Sequence, residues 1–229
     1  MGVVSRTWNS LRMLPERRRL GRRLAGPVVE TVCGHPLVVL PQAFNPVVFR
    51  SGACLAEFLR DSPDLMPGSA GSSRALDLGT GSGIQAVVLA ARGYRVVAVD
   101  LNRDAARCAR ANALINGLEE RIDVREGDLY GPLAEGRFDL VVFNPPFFQG
   151  EPDSPFELSW RSRDVVPRFA RGLPERLAAG GRAIVIWSSH EPEQILLGPL
   201  MEAGLETRVL KRQRLPIETL TIYAATPRG

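Results

Sequence analysis

RALDLGTGSGIQAVVLAARGYRVVAVD, residues 74–100, carries the reading that decides the fold. Ala75 to Leu78 is a short apolar run broken only by Asp77, and it ends in glycines at 79, 81 and 83. Glycine suits a place where the chain turns tightly and a ligand approaches its backbone. Ile84 to Ala91 then has helical composition, closed by Gly93, and Tyr94 to Leu101 returns to β-rich residues ending at Asp100. A strand, a crossover helix and a second strand form a parallel pair. Outward from this unit the alternation continues. NRDAARCARANALING (102–117) predicts a helix, RIDVREGDL, FDLVVFN and GRAIVIWSS predict three more strands, and VVPRFARGLPERLAAG (165–180) a helix before the last of these. LETRVLKRQ and IETLTIYAA leave no room for a helix between them and predict an antiparallel hairpin at a sheet edge. The expected class is α/β with a mostly parallel sheet covered on both faces.

The totals agree with one such domain plus an extension. The chain has 229 residues, 45% hydrophobic and 24% charged, the balance of a globular protein. No run of 18 apolar residues is present, so no helical membrane span is expected. Three scattered cysteines (Cys33, Cys54, Cys108) without metal-ligand spacing, and no signal-peptide pattern, make a cytoplasmic setting the expectation, with no metal. The charge is unevenly placed. Residues 1–25 hold seven arginines against Glu16 alone, a local +6, whereas the rest of the chain sums to −2. Such a basic arm (1–26) suits contact with RNA, a ribosome or another acidic partner; the plain alternative is a solvated leader.

Residues 27–73 precede the alternating core. PVVETVCGHPLVVLP predicts a hairpin turning at Gly34-His35-Pro36, SGACLAEFLRD a short helix, and SPDLMPGSAGSS a connector. The core itself runs from 74 to 229.

The glycine loop leaves two cofactor classes to weigh. A dinucleotide fingerprint, G-x-G-x-x-G, needs glycine at 84, where the chain has Ile84. An acid followed by G-x-G-x-G, here Asp77 with Gly79, Gly81 and Gly83, resembles the class I S-adenosylmethionine-dependent methyltransferases across residues 74–225. That resemblance implies a Rossmann-like seven-stranded sheet. It also implies roles for single residues: the Gly79-Thr80-Gly81 to Gly83 backbone beside the methionine moiety, Asp77 toward its amino group, Asp100 on the ribose hydroxyls, Leu101 beside the adenine, Asp128 on the adenine amino group and Leu129 with a neighbouring N–H. Read alone, each aspartate is equally a turn or cap residue.

LVVFNPPFFQG (140–150) adds the chemistry. Proline cannot continue a ladder, so Pro145 and Pro146 stop the strand and hold Asn144 rigidly at its carboxyl end, where open α/β sheets bind ligands. Asn144-Pro145-Pro146-Phe147 resembles the [N/D]-P-P-[Y/F] motif of amino- and amide-methylating enzymes, HemK-type protein glutamine methyltransferases and adenine-N6 methyltransferases among them. A planar nitrogen is a poor nucleophile. It has to be held with its N–H groups engaged, and the Asn144 side-chain carbonyl and Pro145 backbone carbonyl are two such acceptors, with Phe147 to stack on the planar group. Upstream, FNPVVFRSGACLAEFL (44–59) resembles the segment that short HemK-like enzymes place before the core, with Ser51 as a cofactor contact, though Arg50-Ser51-Gly52 departs from the acidic-Thr pair found there. IETLTIYAA resembles their closing strand, in which Glu218 is equally a surface residue.

The expected activity is therefore N-methylation of a planar amide or amine nitrogen, foremost a protein glutamine. A nucleobase amine in RNA and a small-molecule amine are the other acceptors to weigh. A non-catalytic cofactor-binding module is the reading from another class, and it gives no reason for an intact Asn144-Pro145-Pro146-Phe147.

Overall fold

A computed structural model describes residues 26–65, 73–152 and 157–228; the basic arm and most of the connector lie outside them. Among the described residues eleven strands and five α-helices follow one another. β1 (Val28–Val32) and β2 (His35–Val39) form an antiparallel hairpin, followed by α1 (Ser51–Asp61). The core alternates β3 (Arg74–Leu78), α2 (Ile84–Ala91), β4 (Arg95–Asp100), α3 (Arg103–Ile115), β5 (Ile122–Glu126) and β6 (Phe138–Phe143). A two-residue pair, β7 (Phe148–Gln149) with β8 (Arg161–Ser162), precedes α4 (Val165–Arg176), β9 (Leu177–Ser188), α5 (Gln194–Glu202), β10 (Leu205–Arg214) and β11 (Thr219–Pro227).

The central sheet has seven strands in the order β10-β11-β9-β6-β3-β4-β5. β5, β4, β3, β6 and β9 run parallel, and β11 pairs antiparallel with β9 and with β10. This is the Rossmann-like seven-stranded sheet expected from the sequence, with its antiparallel C-terminal hairpin. Apolar residues of the parallel strands feed a core on each face: Ala75, Val96, Leu140 and Ile184 face the α1–α2–α3 layer, and Leu76, Val99, Phe143 and Val185 face α4 and α5. The chain order reverses between β3 and β6, the switch point where such sheets bind ligands.

The N-terminal hairpin is docked rather than appended. Val32, Leu37 and Val39 are buried in the same cluster as α1 and α2. A polar row on α3, spaced four residues apart and so lying on one helix face, clamps β2. Asn112 Oδ1 accepts from the Val38 N–H (2.7 Å) and Nδ2 donates to the Val38 carbonyl (2.8 Å), Cys108 Sγ donates to the same carbonyl, and Asn116 bonds the His35 ring and the Pro36 carbonyl. His35 thus has a structural hydrogen bond.

Three details differ from the sequence reading. The hairpin turns at Cys33-Gly34, both with positive φ (55° and 86°), and His35 already pairs with Val32. Residues 177–180 belong to β9, because Leu177 pairs with Phe138, so the preceding helix stops at Arg176. A helix, α5, occupies 194–202, where the sequence reading placed none.

Candidate active site

The glycine loop leaves β3 with Gly79, Gly81 and Gly83 all at positive φ (61°, 57° and 84°), a region that disfavours any side chain. Space reinforces the requirement at Gly83, where a Cβ would lie 2.9 Å from the Ala109 backbone of α3. Two aspartates tie this loop to its neighbours. Asp77 Oδ2 accepts from the Thr80 hydroxyl (2.6 Å) and from the Ala86 N–H in the first turn of α2 (3.1 Å), so this carboxyl braces the loop from beneath. Burial pushes it up to about 7, against the lowering effect of those two bonds. Asp100, at the end of β4, accepts from the Gly81 N–H through Oδ2 and from the Asn102 N–H through Oδ1, both at 2.8 Å. Burial likewise raises it, to about 6, opposed by the two N–H bonds. Leu101 beside it is 52% exposed, a bare apolar surface at the strand end.

Asp128 and Leu129 lie just beyond β5, which ends at Glu126. Asp128 Oδ2 is paired with Arg168 of α4, which also reaches Asp164 at 3.1 Å. Leu129 has φ 46°, a conformation unusual for a side chain of its size.

Asn144 sits beside the glycine loop because Phe143 of β6 is in register with Leu78 of β3. The residues that follow each strand, Asn144 and Gly79, thus start one interstrand spacing apart, about 4.8 Å. Asn144 Nδ2 donates to the buried Ser51 hydroxyl at 3.3 Å. Pro145 is buried and Pro146 half-buried. The Phe147 ring meets Trp187 of β9 edge-on at 5.6 Å, and Phe148 stacks on His190 at 5.9 Å.

The structure therefore brings the glycine loop, Asp77, Asp100, Leu101, Ser51 and Asn144 through Phe147 to one edge of the sheet, with Asp128 and Leu129 at the end of the outermost parallel strand. It adds residues that the sequence reading passed over. Phe44 stacks on Phe49 at 4.7 Å, Phe49 leans on Trp160 at 5.5 Å, and the Phe44 side chain lies 3.3 Å from where a Gly81 Cβ would stand. Aromatic residues in segments without strand or helix pattern were the available signal. Glu218, read as equally a surface residue, bonds the Ser188 hydroxyl and lies 3.6 Å from His190.

A family model described as the methyltransferase small domain matches residues 57–213. The chain belongs to that family. It is 29% identical over 159 residues to a Methanocaldococcus jannaschii protein named, provisionally, a protein N5-glutamine methyltransferase, covering 66% of this chain and 79% of that one. It is 32% identical over 153 residues to the ribosomal RNA small subunit methyltransferase C of Chromohalobacter salexigens, covering 65% of this chain but only 42% of that protein. The fold matches that of a T. thermophilus 16S rRNA methyltransferase in complex with AdoMet and guanosine, with TM-score 0.64 at 22% identity over 88% of this chain and 50% of that one. In that neighbour the fold holds AdoMet.

The site fits that cofactor on its own chemistry. Gly79, Gly81 and Gly83 give the loop the positive-φ turn that brings its backbone to the strand ends, Asp100 is an acceptor suited to a pair of hydroxyls, and Leu101 offers an apolar platform. Among the described residues no group of three or more potential ligands is placed to hold a metal ion, and no helix is long and apolar enough to cross a membrane.

Proposed function

We propose that this methyltransferase acts on a planar amide nitrogen, a glutamine side chain of a protein acceptor. The observation that carries the reading is Asn144 at the end of β6, one strand from the glycine loop, with its Nδ2 turned to Ser51 and its Oδ1 thereby left for an acceptor. In this reading Gly79, Thr80, Gly81 and Gly83 hold the methionine part of S-adenosylmethionine, with Asp77 beneath the loop on the amino-group side and Ser51 lining the same end. Asp100 receives the ribose hydroxyls and Leu101 packs on the adenine. Asp128 keeps one carboxylate oxygen for the adenine amino group while the other holds Arg168, and Leu129 offers its backbone N–H.

The bound cofactor supplies a methyl group already activated on a sulfonium, so the chain's task is placement. Asn144 Oδ1 and the Pro145 carbonyl accept the two N–H groups of the acceptor and fix the direction of its nitrogen. Pro145 and Pro146 keep those acceptors from drifting. Trp187, edge-on to Phe147, fixes the plane of the ring on which the flat acceptor group stacks. Orientation of this kind contributes several kcal/mol to a transfer that needs no strong base.

A nucleobase amine in RNA is the second reading, favoured by the +6 arm of residues 1–25 and by the ribosomal RNA methyltransferase among the relatives. Incubation with tritiated S-adenosylmethionine and separated protein, ribosomal and tRNA fractions distinguishes the two. Label in protein that hot acid releases as methylamine marks a glutamine amide; label that stays on a purine base marks the second reading. Label recovered on oxygen, sulfur or carbon would defeat both.

A further inference from the structure

The N-terminal extension delivers the Ser51 hydroxyl to the reaction edge of the sheet, and the corner that delivers it is held from many sides. Arg50, which caps α1 without being glycine, has φ 49° and ψ −34°. Such backbone persists only where its surroundings over-determine it, and it collects at functional positions. The surroundings here are plain. Fully buried Asn45 accepts from the Val47 and Val48 N–H groups through Oδ1 (2.9 and 3.1 Å) and donates to Glu30 through Nδ2. A Cβ on Gly52 would stand 2.9 Å from that of Pro46, and Gln85 of α2 donates to the Gly52 carbonyl at 3.0 Å. Phe44 and Phe49 stack across the same corner. What it presents to the sheet is the Ser51 hydroxyl, 3.3 Å from Asn144 Nδ2 on a residue only 1% exposed.

We infer that Ser51 is a positioning residue that, by accepting from Nδ2, holds the Asn144 amide with its Oδ1 end toward the acceptor. A side-chain amide is nearly symmetric in shape: half a turn about its last torsion exchanges carbonyl and NH2. Turned the wrong way, Asn144 opposes its own N–H groups to those of a planar amide or amine, and the hold becomes a repulsion. Among the described residues Ser51 is the side-chain hydrogen-bond partner Asn144 has. By taking the Nδ2 end it leaves Oδ1 outward. The strained corner thus has a purpose beyond covering the loop, since the extension orients the residue the core uses to orient its substrate. This rests on the proposed role of Asn144, and its test does not.

The test follows the Asn144 side-chain NH2 pair by NMR in the full chain, assigned through its loss in Asn144→Asp. In Ser51→Ala the pair should move to solvent-like shifts and its hydrogen exchange should quicken about tenfold or more, as one hydrogen bond is lost. Backbone resonances of α1 should stay at their wild-type positions. Ser51→Thr, which keeps the hydroxyl, should restore the pair. An unchanged pair in Ser51→Ala overturns the inference, as does displacement of the whole α1 backbone along with it. If the pair responds but Ser51→Ala transfers methyl groups at the wild-type rate, Ser51's hold on Asn144 stands and the proposed role of Asn144 is what fails.

Discussion

Asp100→Asn tests the cofactor assignment at its most constrained atom. Each carboxylate oxygen of Asp100 accepts one backbone N–H at 2.8 Å, from Gly81 in the loop and from Asn102, the N-cap of α3. An amide keeps one acceptor and turns an NH2 toward the other N–H, so one charge-assisted bond, about 1.5–3 kcal/mol, becomes a donor–donor opposition. The wild-type carboxylate is itself held at a cost, since burial raises it to about 6, and the neutral amide escapes that. The two effects leave a net loss of roughly 1–2 kcal/mol, or a drop in Tm of about 2–8 °C for a chain of this size. Cofactor binding should fall further. Hydroxyl bonds to a neutral oxygen lack charge assistance, so S-adenosylmethionine affinity should weaken by about 1–3 kcal/mol, a Kd increase of roughly 5- to 150-fold. Calorimetry as a function of pH adds an internal check: wild-type affinity should decline as acid protonates Asp100 below about pH 6, and the variant should show no such decline. A folded Asp100→Asn with wild-type affinity refutes the assignment, and NADH binding more tightly than S-adenosylmethionine would remove the cofactor reading altogether.

Other consequences are as direct. Gly83→Ala pushes a methyl group to 2.9 Å from the Ala109 backbone at φ 84°, so it should destabilise the fold by about 2 kcal/mol or more, and a urea midpoint equal to wild type would contradict the packing described here. Asp77, raised by burial from 3.8 to about 7, binds its proton more tightly folded than unfolded. Its contribution to stability is therefore full at acid pH below the unfolded value and is lost as pH rises through about 7, by up to roughly 1.4 kcal/mol per pH unit. Urea unfolding of wild type and Asp77→Asn between about pH 4 and 7 should differ by that slope, and parallel curves would show the carboxyl is not buried as described. Removal of residues 1–25, with their +6, should weaken RNA binding and reduce its salt dependence if the acceptor is RNA or ribosome-borne; an unchanged salt slope makes the arm a solvated leader.

The parallel core was legible because its signals are local. Leu76, Val97, Val141 and Ile184 sit in apolar runs that only strands buried on both faces explain, and glycines at 79, 81 and 83 announce a turn whose positive φ angles need them. α5 was hidden by Gly198 and Pro199, helix-breaking residues that this helix nonetheless contains while Leu196 and Leu200 are buried. The hairpin turn was read one residue late because Cys33 adopts φ 55°, a conformation its residue type does not advertise. At the site, residue types showed which groups gather at the sheet edge but not how they meet. Ser51 reaches Asn144 across 93 positions and Phe49 meets Trp160 from another loop. The ion pair that engages one side of Asp128 comes from Arg168, 40 residues on. Such contacts depend on docking of the extension and of α4, which no local pattern encodes.

Single-turnover transfer from labelled S-adenosylmethionine by Asn144→Ala, with cofactor titration on the same preparation, puts the proposed mechanism to its most direct test. The glycine loop, Asp77 and Asp100 are untouched by the change, so cofactor affinity should stay near that of wild type while transfer falls about 10²-fold or more through lost orientation of the acceptor nitrogen. Transfer at the wild-type rate would take Asn144 out of the mechanism, and an equal collapse of affinity and transfer would make it a cofactor or folding residue instead.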